Sequence, residues 1–164
     1  MGKTATARAA DANAAAKATV RGGVCPTCPK CDAQLPEDEE TKKVALTIFS
    51  ESTPNADEMT AVGSVMHNRV GHPGFRRAKD VSSVLAQPQQ FDGYQSDKYK
   101  RAERGDLAPG DCKHLKEAIA TAEKLKQNGV PAEYKKYTFF HSAQGAPPGG
   151  TQVGGSHFYT KFWK

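Results

Sequence analysis

Glu51 is the residue of this 164-residue chain whose type and setting most directly suggest chemistry. It follows the run Val44-Ala45-Leu46-Thr47-Ile48-Phe49-Ser50 and precedes Ser52-Thr53-Pro54, so it should close an apolar helix. An apolar wall and the negative end of a helix dipole both disfavour the ionised form of a carboxyl, and its pKa should rise. An acid still protonated near neutral pH can protonate the leaving oxygen of a glycosidic bond. The competing reading is an exposed helix-terminal Glu, which position alone favours because buried acids are uncommon. Glycoside hydrolysis by two carboxylates would need a second acid. Asp57, Glu58 and Asp92 are the candidates, although Asp57 and Glu58 suit better the role of first-turn helix acids.

Cys25-x-x-Cys28-x-x-Cys31, laced with Pro26 and Pro29, is the second constellation, and Cys112 is the remaining cysteine. Three thiolates at this spacing could take zinc with a fourth ligand from Cys112, His114 or another His. Structural zinc sites usually draw ligands from two separated pairs, so disulfide or free thiols are the preferred expectation and no metal or cofactor is assigned. In an oxidising envelope one bridge through Cys112 would staple the arm to the body. A nucleophilic Cys112 next to His114 is discounted, because residues two apart on a helix point to different faces.

The elements that must position these groups follow from pattern. Glu37 to Glu40 open a first helix, Val44, Ala45, Ile48 and Phe49 form its stripe with Leu46 on the flank, and Pro54 ends it by Thr53. Asn55 caps a second helix with Glu58 as its reciprocal partner, Met59, Val62, Val65, Met66 and Val70 supply its buried face, and Gly71 with Pro73 closes it. A shorter helix starts at Asp80, and a long one runs from Asp111 to Asn128-Gly129. After Pro131, Tyr137 to His141 and His157 to Trp163 are aromatic and β-favouring, with a Gly/Pro-rich loop between them. About five helices and one β-like pair make an α+β, mainly α fold. The division expected is an Ala-rich arm and Cys/Pro linker over 1–36 and a catalytic domain over 37–164.

A family resemblance enters at these residues. Ala45-Leu46-Thr47-Ile48-Phe49-Ser50-Glu51, Ala61-Val62-Gly63-Ser64-Val65-Met66-His67-Asn68-Arg69-Val70, then Phe75, Val84 and Gln90-Phe91 resemble the cell-wall hydrolase family of spore-cortex lytic enzymes. Thr138-Phe139-Phe140-His141 and Gly154-Gly155-Ser156-His157-Phe158-Tyr159 resemble that family's closing elements, and the likeness runs from about 43 to 160. It implies a lysozyme-like helical domain that cuts peptidoglycan between N-acetylmuramic acid and N-acetylglucosamine, with Glu51 catalytic. The family usually continues Glu-Ala-Arg-Gly-Glu, whereas this chain has Glu51-Ser52-Thr53-Pro54-Asn55, so its second Glu is absent. With one acid, Glu51 would act as acid and then as base toward water or the muramoyl 6-hydroxyl. Hydrolysis and a 1,6-anhydro product both stay open, and the missing Glu tilts toward the latter. The resemblance also places Gln90 and Phe91 along the sugar groove, where an amide can bond an acetamido group and a ring can cover a sugar face; the alternative is a turn anchored by Phe91. His157 and Tyr159 are taken as cleft-lining, against the alternative of satisfying buried hydrogen bonds. His141 is taken as structural, and Asn68 as a structural hydrogen-bonding residue close to Glu51.

Charge refines the choice of partner. Residues 1–40 carry five basic and six acidic side chains, and residues 41–164 carry 18 basic and 12 acidic. The basic surplus belongs to the body, where it suits an enzyme lying against an anionic wall. The rival is a non-enzymatic, metal-containing basic module that grips a polyanion such as nucleic acid. No nucleic-acid motif supports it, since the second Cys/His pair is missing. No segment is long and apolar enough for a membrane span, and Met1 to Val20 lack the apolar core of a secretory signal. The expected partner is therefore the peptidoglycan glycan strand, met at the cell wall or in the periplasm after delivery by lysis, a phage particle or a dedicated secretion system. That points to a phage lysin or an antibacterial effector, and an effector would call for an immunity protein that plugs the cleft.

Overall fold

The computed structural model describes residues 30–75, 78–142 and 146–161, so the expected arm lies outside the described residues as far as residue 29. Helix α1 (Glu39–Glu51) starts at Asp38, whose carboxylate accepts the Thr41 N–H at 2.9 Å, and carries Glu39 and Glu40 in its first turn. Val44, Ala45, Leu46, Thr47, Ile48 and Phe49 are all buried, so α1 is enclosed all round rather than apolar on one stripe. Leu46, expected on the flank, is fully buried. The helix ends because Ser52 turns extended before Pro54, while the Ser52 N–H and Oγ–H both donate to the Ile48 carbonyl, at 3.0 and 2.6 Å.

Helix α2 (Ala56–Arg69) begins at Asn55, whose Oδ1 accepts the Glu58 N–H at 2.9 Å. The expected reciprocal bond is not made, because the Glu58 side chain is engaged elsewhere. Helix α2 crosses α1 and the long helix α5 (Pro109–Asn128) at Gly63, where a Cβ would stand 2.4 Å from Leu125 Cδ1 and 2.9 Å from Ile48 Cδ1. A larger residue there would displace the Leu125 and Ile48 side chains that fill the crossing. Helix α5 starts two residues before the expected Asp111, with Pro109 at its first position, and stops where Gly129 takes a φ of 73°. Cys112, His114, Leu115, Ala118, Ile119, Ala122 and Leu125 make its buried face.

Two short helices complete the layer. Helix α3 (Val81–Leu85) is capped by Asp80 as expected. Helix α4 (Asp97–Glu103), capped by Ser96 and burying only Tyr99 and Ala102, was not anticipated. Strand β1 (Phe139–Ser142) pairs antiparallel with β3 (Ser156–Tyr159), bringing the two aromatic segments together, and β2 (Thr151–Val153) from the intervening loop adds to the other side of β3 in the order β1-β3-β2. The fold is mainly α with a small antiparallel sheet, as expected.

Cys31 and Cys112 form a disulfide across a sequence separation of 81, and the Cys31 N–H donates to the Gly105 carbonyl at 3.1 Å. Cys31, Ala33 and Leu35 pack against the core, so residues 31–35 are fixed to the helical body despite falling within the expected linker. Among the described residues Cys31, Asp32 and Cys112 are the cluster that could suggest a metal, but both sulfurs are spent in the disulfide. No helix of the described residues is long and apolar enough to cross a membrane.

Candidate active site

Glu51 is the last residue of α1 and is only half-buried, although the helix leading to it is sealed. Its carboxyl lines a cavity of about 310 Å³ with Gln89, Gln90, Asp92, Phe140, Ser142 and Ser156. Burial pushes its pKa above the ordinary value of 4.5, chiefly by removing water from the charged form. The Gly93 N–H donates to Oε1 and opposes that rise, Asp92 adds to it by like-charge repulsion, and Lys98 and Arg69 oppose it as cations. Burial therefore dominates, and the acid holds its proton to a higher pH than a solvated Glu.

Two attachments hold the loop over residues 86–96 against this carboxyl. Gly93 approaches so closely that a Cβ would lie 2.7 Å from Ser50 Cβ and 3.0 Å from Glu51 Oε1. Phe91 anchors one end in the core, 6% exposed, with its ring 5.9 Å from that of Phe140. Gln89, at φ 60°, and Gln95, at φ 59°, take left-handed conformations uncommon for residues other than glycine. Such strain persists where the surroundings over-determine the backbone, as the flanking attachments do here.

The opposite wall is the sheet. Phe140 pairs with Phe158 and Ser142 with Ser156, so these four share one face, with Phe158 in the core and both serines on the Glu51 cavity. The Ser156 hydroxyl donates to Glu58 Oε1 at 2.8 Å, the Gly155 N–H donates to Oε2 at 3.1 Å, and the Thr53 hydroxyl also donates to Oε2. Glu58 is 1% exposed and thus joins the chain just after Glu51 to the turn that carries Ser156.

A family model described as Cell Wall Hydrolase matches residues 53–159. The chain belongs to the cell wall hydrolase family. The match begins two residues after Glu51 and covers the loop, the second helix and the sheet that enclose its carboxyl. No curated protein and no solved structure gives a significant match to the chain. Membership makes this a hydrolase that acts on peptidoglycan.

Of the residues singled out in the sequence, this cell wall hydrolase brings Glu51 and Gln90 to one cavity, together with the candidate second acid Asp92. Phe91 turns inward and serves as the anchor of its loop. His157 and Tyr159 alternate with Ser156 and Phe158 and so lie on the other sheet face, where the Tyr159 hydroxyl donates to the Pro147 carbonyl at 2.5 Å. His157 Nδ1 is buried there without a hydrogen-bond partner among the described residues. His141, expected to be structural, lines the cleft. Asn68 donates to the Tyr134 and Tyr137 carbonyls, both at 2.8 Å, and so fastens the turn before β1 to α2. Asp57 stays on the exposed first turn of α2, and the second candidate there, Glu58, is the buried tie.

Arg69 and Ser156 were not foreseen as site residues. Arg69 falls one helical repeat beyond Val62 and Val65 on the buried face of α2, which is itself an anomaly for a cation. Ser156 could have been found from strand alternation with the apolar Phe158. His114, weighed above as a metal ligand, instead packs its ring 5.0 Å from Phe49 and sets Nε2 3.4 Å from the Ser52 hydroxyl. Burial pushes its pKa down, so it supports the end of α1 as a neutral ring.

Proposed function

We propose that this hydrolase cleaves peptidoglycan glycan strands between N-acetylmuramic acid and N-acetylglucosamine, with Glu51 as general acid and then base. The observation that carries the reading is a half-buried carboxyl, raised in pKa by burial and fixed by the Gly93 N–H, that opens into a groove with a second carboxylate. Protonated Glu51 gives its proton to the bridging oxygen as the bond to the muramoyl C1 breaks, and the N-acetylglucosamine leaves with a free 4-hydroxyl. The cationic C1 is then captured by water, whose proton passes to a carboxylate, and the product is a reducing muramoyl end. Asp92 shares the cavity and supplies the second carboxylate that such hydrolysis uses, which favours water over the muramoyl 6-hydroxyl. The rim position of Asp92 and the basic balance of the body suit an open groove against a long anionic polymer. The Cys31–Cys112 disulfide fits work outside a reducing cytosol, the setting of a phage lysin or a secreted antibacterial effector.

Mass spectrometry of muropeptides released from purified sacculi tests the reading. Wild type should yield reducing muramoyl ends, Glu51→Gln should yield almost none, and Asp92→Asn should be strongly impaired. Anhydro ends would replace the hydrolytic step by intramolecular capture, and undiminished cleavage by Glu51→Gln would remove Glu51 from the chemistry.

A further inference from the structure

Beyond Glu51 the groove continues into a second cavity of about 470 Å³ that shares Gln89, Gln90, Phe140 and His141 with the first and ends at Arg69. Arg69 is 4% exposed, yet it lines this cavity. Its Nε–H donates to the Thr138 carbonyl at 2.7 Å, and its Nη1 donates to the Gln90 carbonyl at 3.3 Å and to Gln90 Oε1 at 3.1 Å. Its guanidinium carbon lies 4.8 Å from the centre of the Phe75 ring, 4.7 Å from Phe91 and 5.3 Å from Phe139. Every one of these partners is neutral, and no ion pair among the described residues includes Arg69. No described residue accepts a bond from Nη2.

Burying a cation with no carboxylate in contact is costly, because burial penalises its charge and the more distant Glu51 together with neutral acceptors repays only part of that penalty. The cost shows in its pKa, which burial pulls down to about 10, so the group stays charged at neutral pH. Carbonyl oxygens and ring faces stabilise the positive charge, but they leave the Nη2 edge of the fork toward the cavity without an acceptor among the described residues. The charge gains a use if an anion completes the site, and a planar fork with a vacant edge matches a carboxylate in particular.

We propose that the Arg69 end of the groove binds a carboxylate carried by the glycan substrate, so that the enzyme selects acid-bearing muramyl residues over neutral hexosamines. The inference rests on the glycan-cleaving reading for its substrate. Its chemistry requires only that an anionic group reach the guanidinium. Two sources supply one, the lactyl carboxylate of peptide-free strands and the free carboxylates of a stem peptide.

Binding separates this inference from cleavage. The full chain carrying Glu51→Gln is titrated calorimetrically with three strands of equal length: peptide-free strands, the same strands with the lactyl group capped as a methyl amide, and strands with stem peptides. Peptide-free strands should bind about tenfold or more tightly than capped ones, the scale expected of a charge-assisted bond to a buried fork. If the stem-peptide strands alone exceed the capped ones, the peptide is the source of the carboxylate. Arg69→Gln removes three structural bonds and is at risk of misfolding, so Gln90→Glu is the decisive variant. It keeps the acceptor beside Nη1 and adds a carboxylate of its own, and it should collapse the preference to within about twofold. Equal affinity for capped and uncapped strands together with no gain from the stem peptide, no binding to any strand, or a preference that survives Gln90→Glu would each overturn the proposal. A preserved preference in a protein whose wild type fails to cut sacculi would instead defeat only the glycosidase reading.

Discussion

An alanine at position 93 would carry a Cβ 2.7 Å from Ser50 Cβ, 3.0 Å from Glu51 Oε1 and 3.1 Å from Glu51 Cδ. Ordinary contact begins near 3.4 Å, so something must yield by about 0.7 Å, as overpacking generally requires. Helix α1 cannot, because the residues before Ser50 are sealed on every side, and so the loop over 92–94 must lift. Gly93 is outside the left-handed region, so alanine carries no backbone penalty there and restricts the unfolded chain. The net destabilisation should be about 1 to 2 kcal/mol, the overpacking cost less the entropic gain. The effect on catalysis should be far larger. Lifting the loop removes the N–H that orients Oε1, and a misplacement approaching 1 Å costs on the order of 100-fold in rate. That N–H also holds the Glu51 pKa down, so the descending limb of the pH profile should move upward in the variant. Turbidity loss of sacculi across pH, with thermal melting of the same samples, reads all three quantities. Gly110→Ala is the control, since nothing lies within 4 Å of its would-be Cβ. Activity within threefold of wild type with an unmoved pH profile would refute the assignment of the Gly93–Glu51 contact to catalysis.

Further outcomes are expected from other parts of the fold. Glu58→Ala strands the Thr53, Gly155 and Ser156 donors and should cost about 3 to 5 kcal/mol by urea unfolding, as loss of a buried charged acceptor does. Because the native state holds the Glu51 proton more tightly than the unfolded chain, stability from this group is full below 4.5 and is lost as pH rises through the raised value. Glu51→Gln should therefore melt higher than wild type at neutral pH while the difference shrinks toward pH 4. Reducing the Cys31–Cys112 bridge, which closes a separation of 81, should lower stability by up to about 4 kcal/mol, read as a drop in melting temperature on adding reductant. Asn68→Ala frees two carbonyls at the turn before β1 and should cost about 1 to 3 kcal/mol in the same unfolding assay.

Three helix starts were legible because their signals are local: the acidic run Glu37 to Glu40 marks α1, and Asn55 and Asp80 each accept an N–H three residues on. Side-chain destinations were less so. Glu58 looked like half of a capping box, but its carboxylate finds the Gly155 and Ser156 donors nearly a hundred residues later, and no short-range pattern encodes that. Helix α4 escaped because only Tyr99 and Ala102 mark its buried side, too few to establish a period. Strand β2 escaped because three residues in a Gly/Pro-rich stretch carry no alternation. The setting of the Glu51 carboxyl was readable because it comes from the helix that the residue ends. Phe91 resisted because an aromatic beside a polar loop residue serves equally as ligand platform or anchor, and only the surrounding rings decide it. The Cys31–Cys112 pairing was one of several connectivities the spacing allowed, and proximity in space selected it.

The sealed helix α1 bears on how this enzyme can diversify. The proposed proton donor is mounted on a segment where six consecutive side chains are buried and almost any change of volume would be felt. Apart from Arg69 at the end of α2, the other walls of the groove hang on loops, turns or a small sheet whose exposed positions tolerate replacement. Mutational drift should therefore leave the Glu51 carboxyl where it is and alter instead the surfaces around it. A library aimed at new wall chemistries belongs at the exposed positions of residues 86–96 and 146–156, with α1, Phe91, Gly93, Gly155 and Ser156 left untouched.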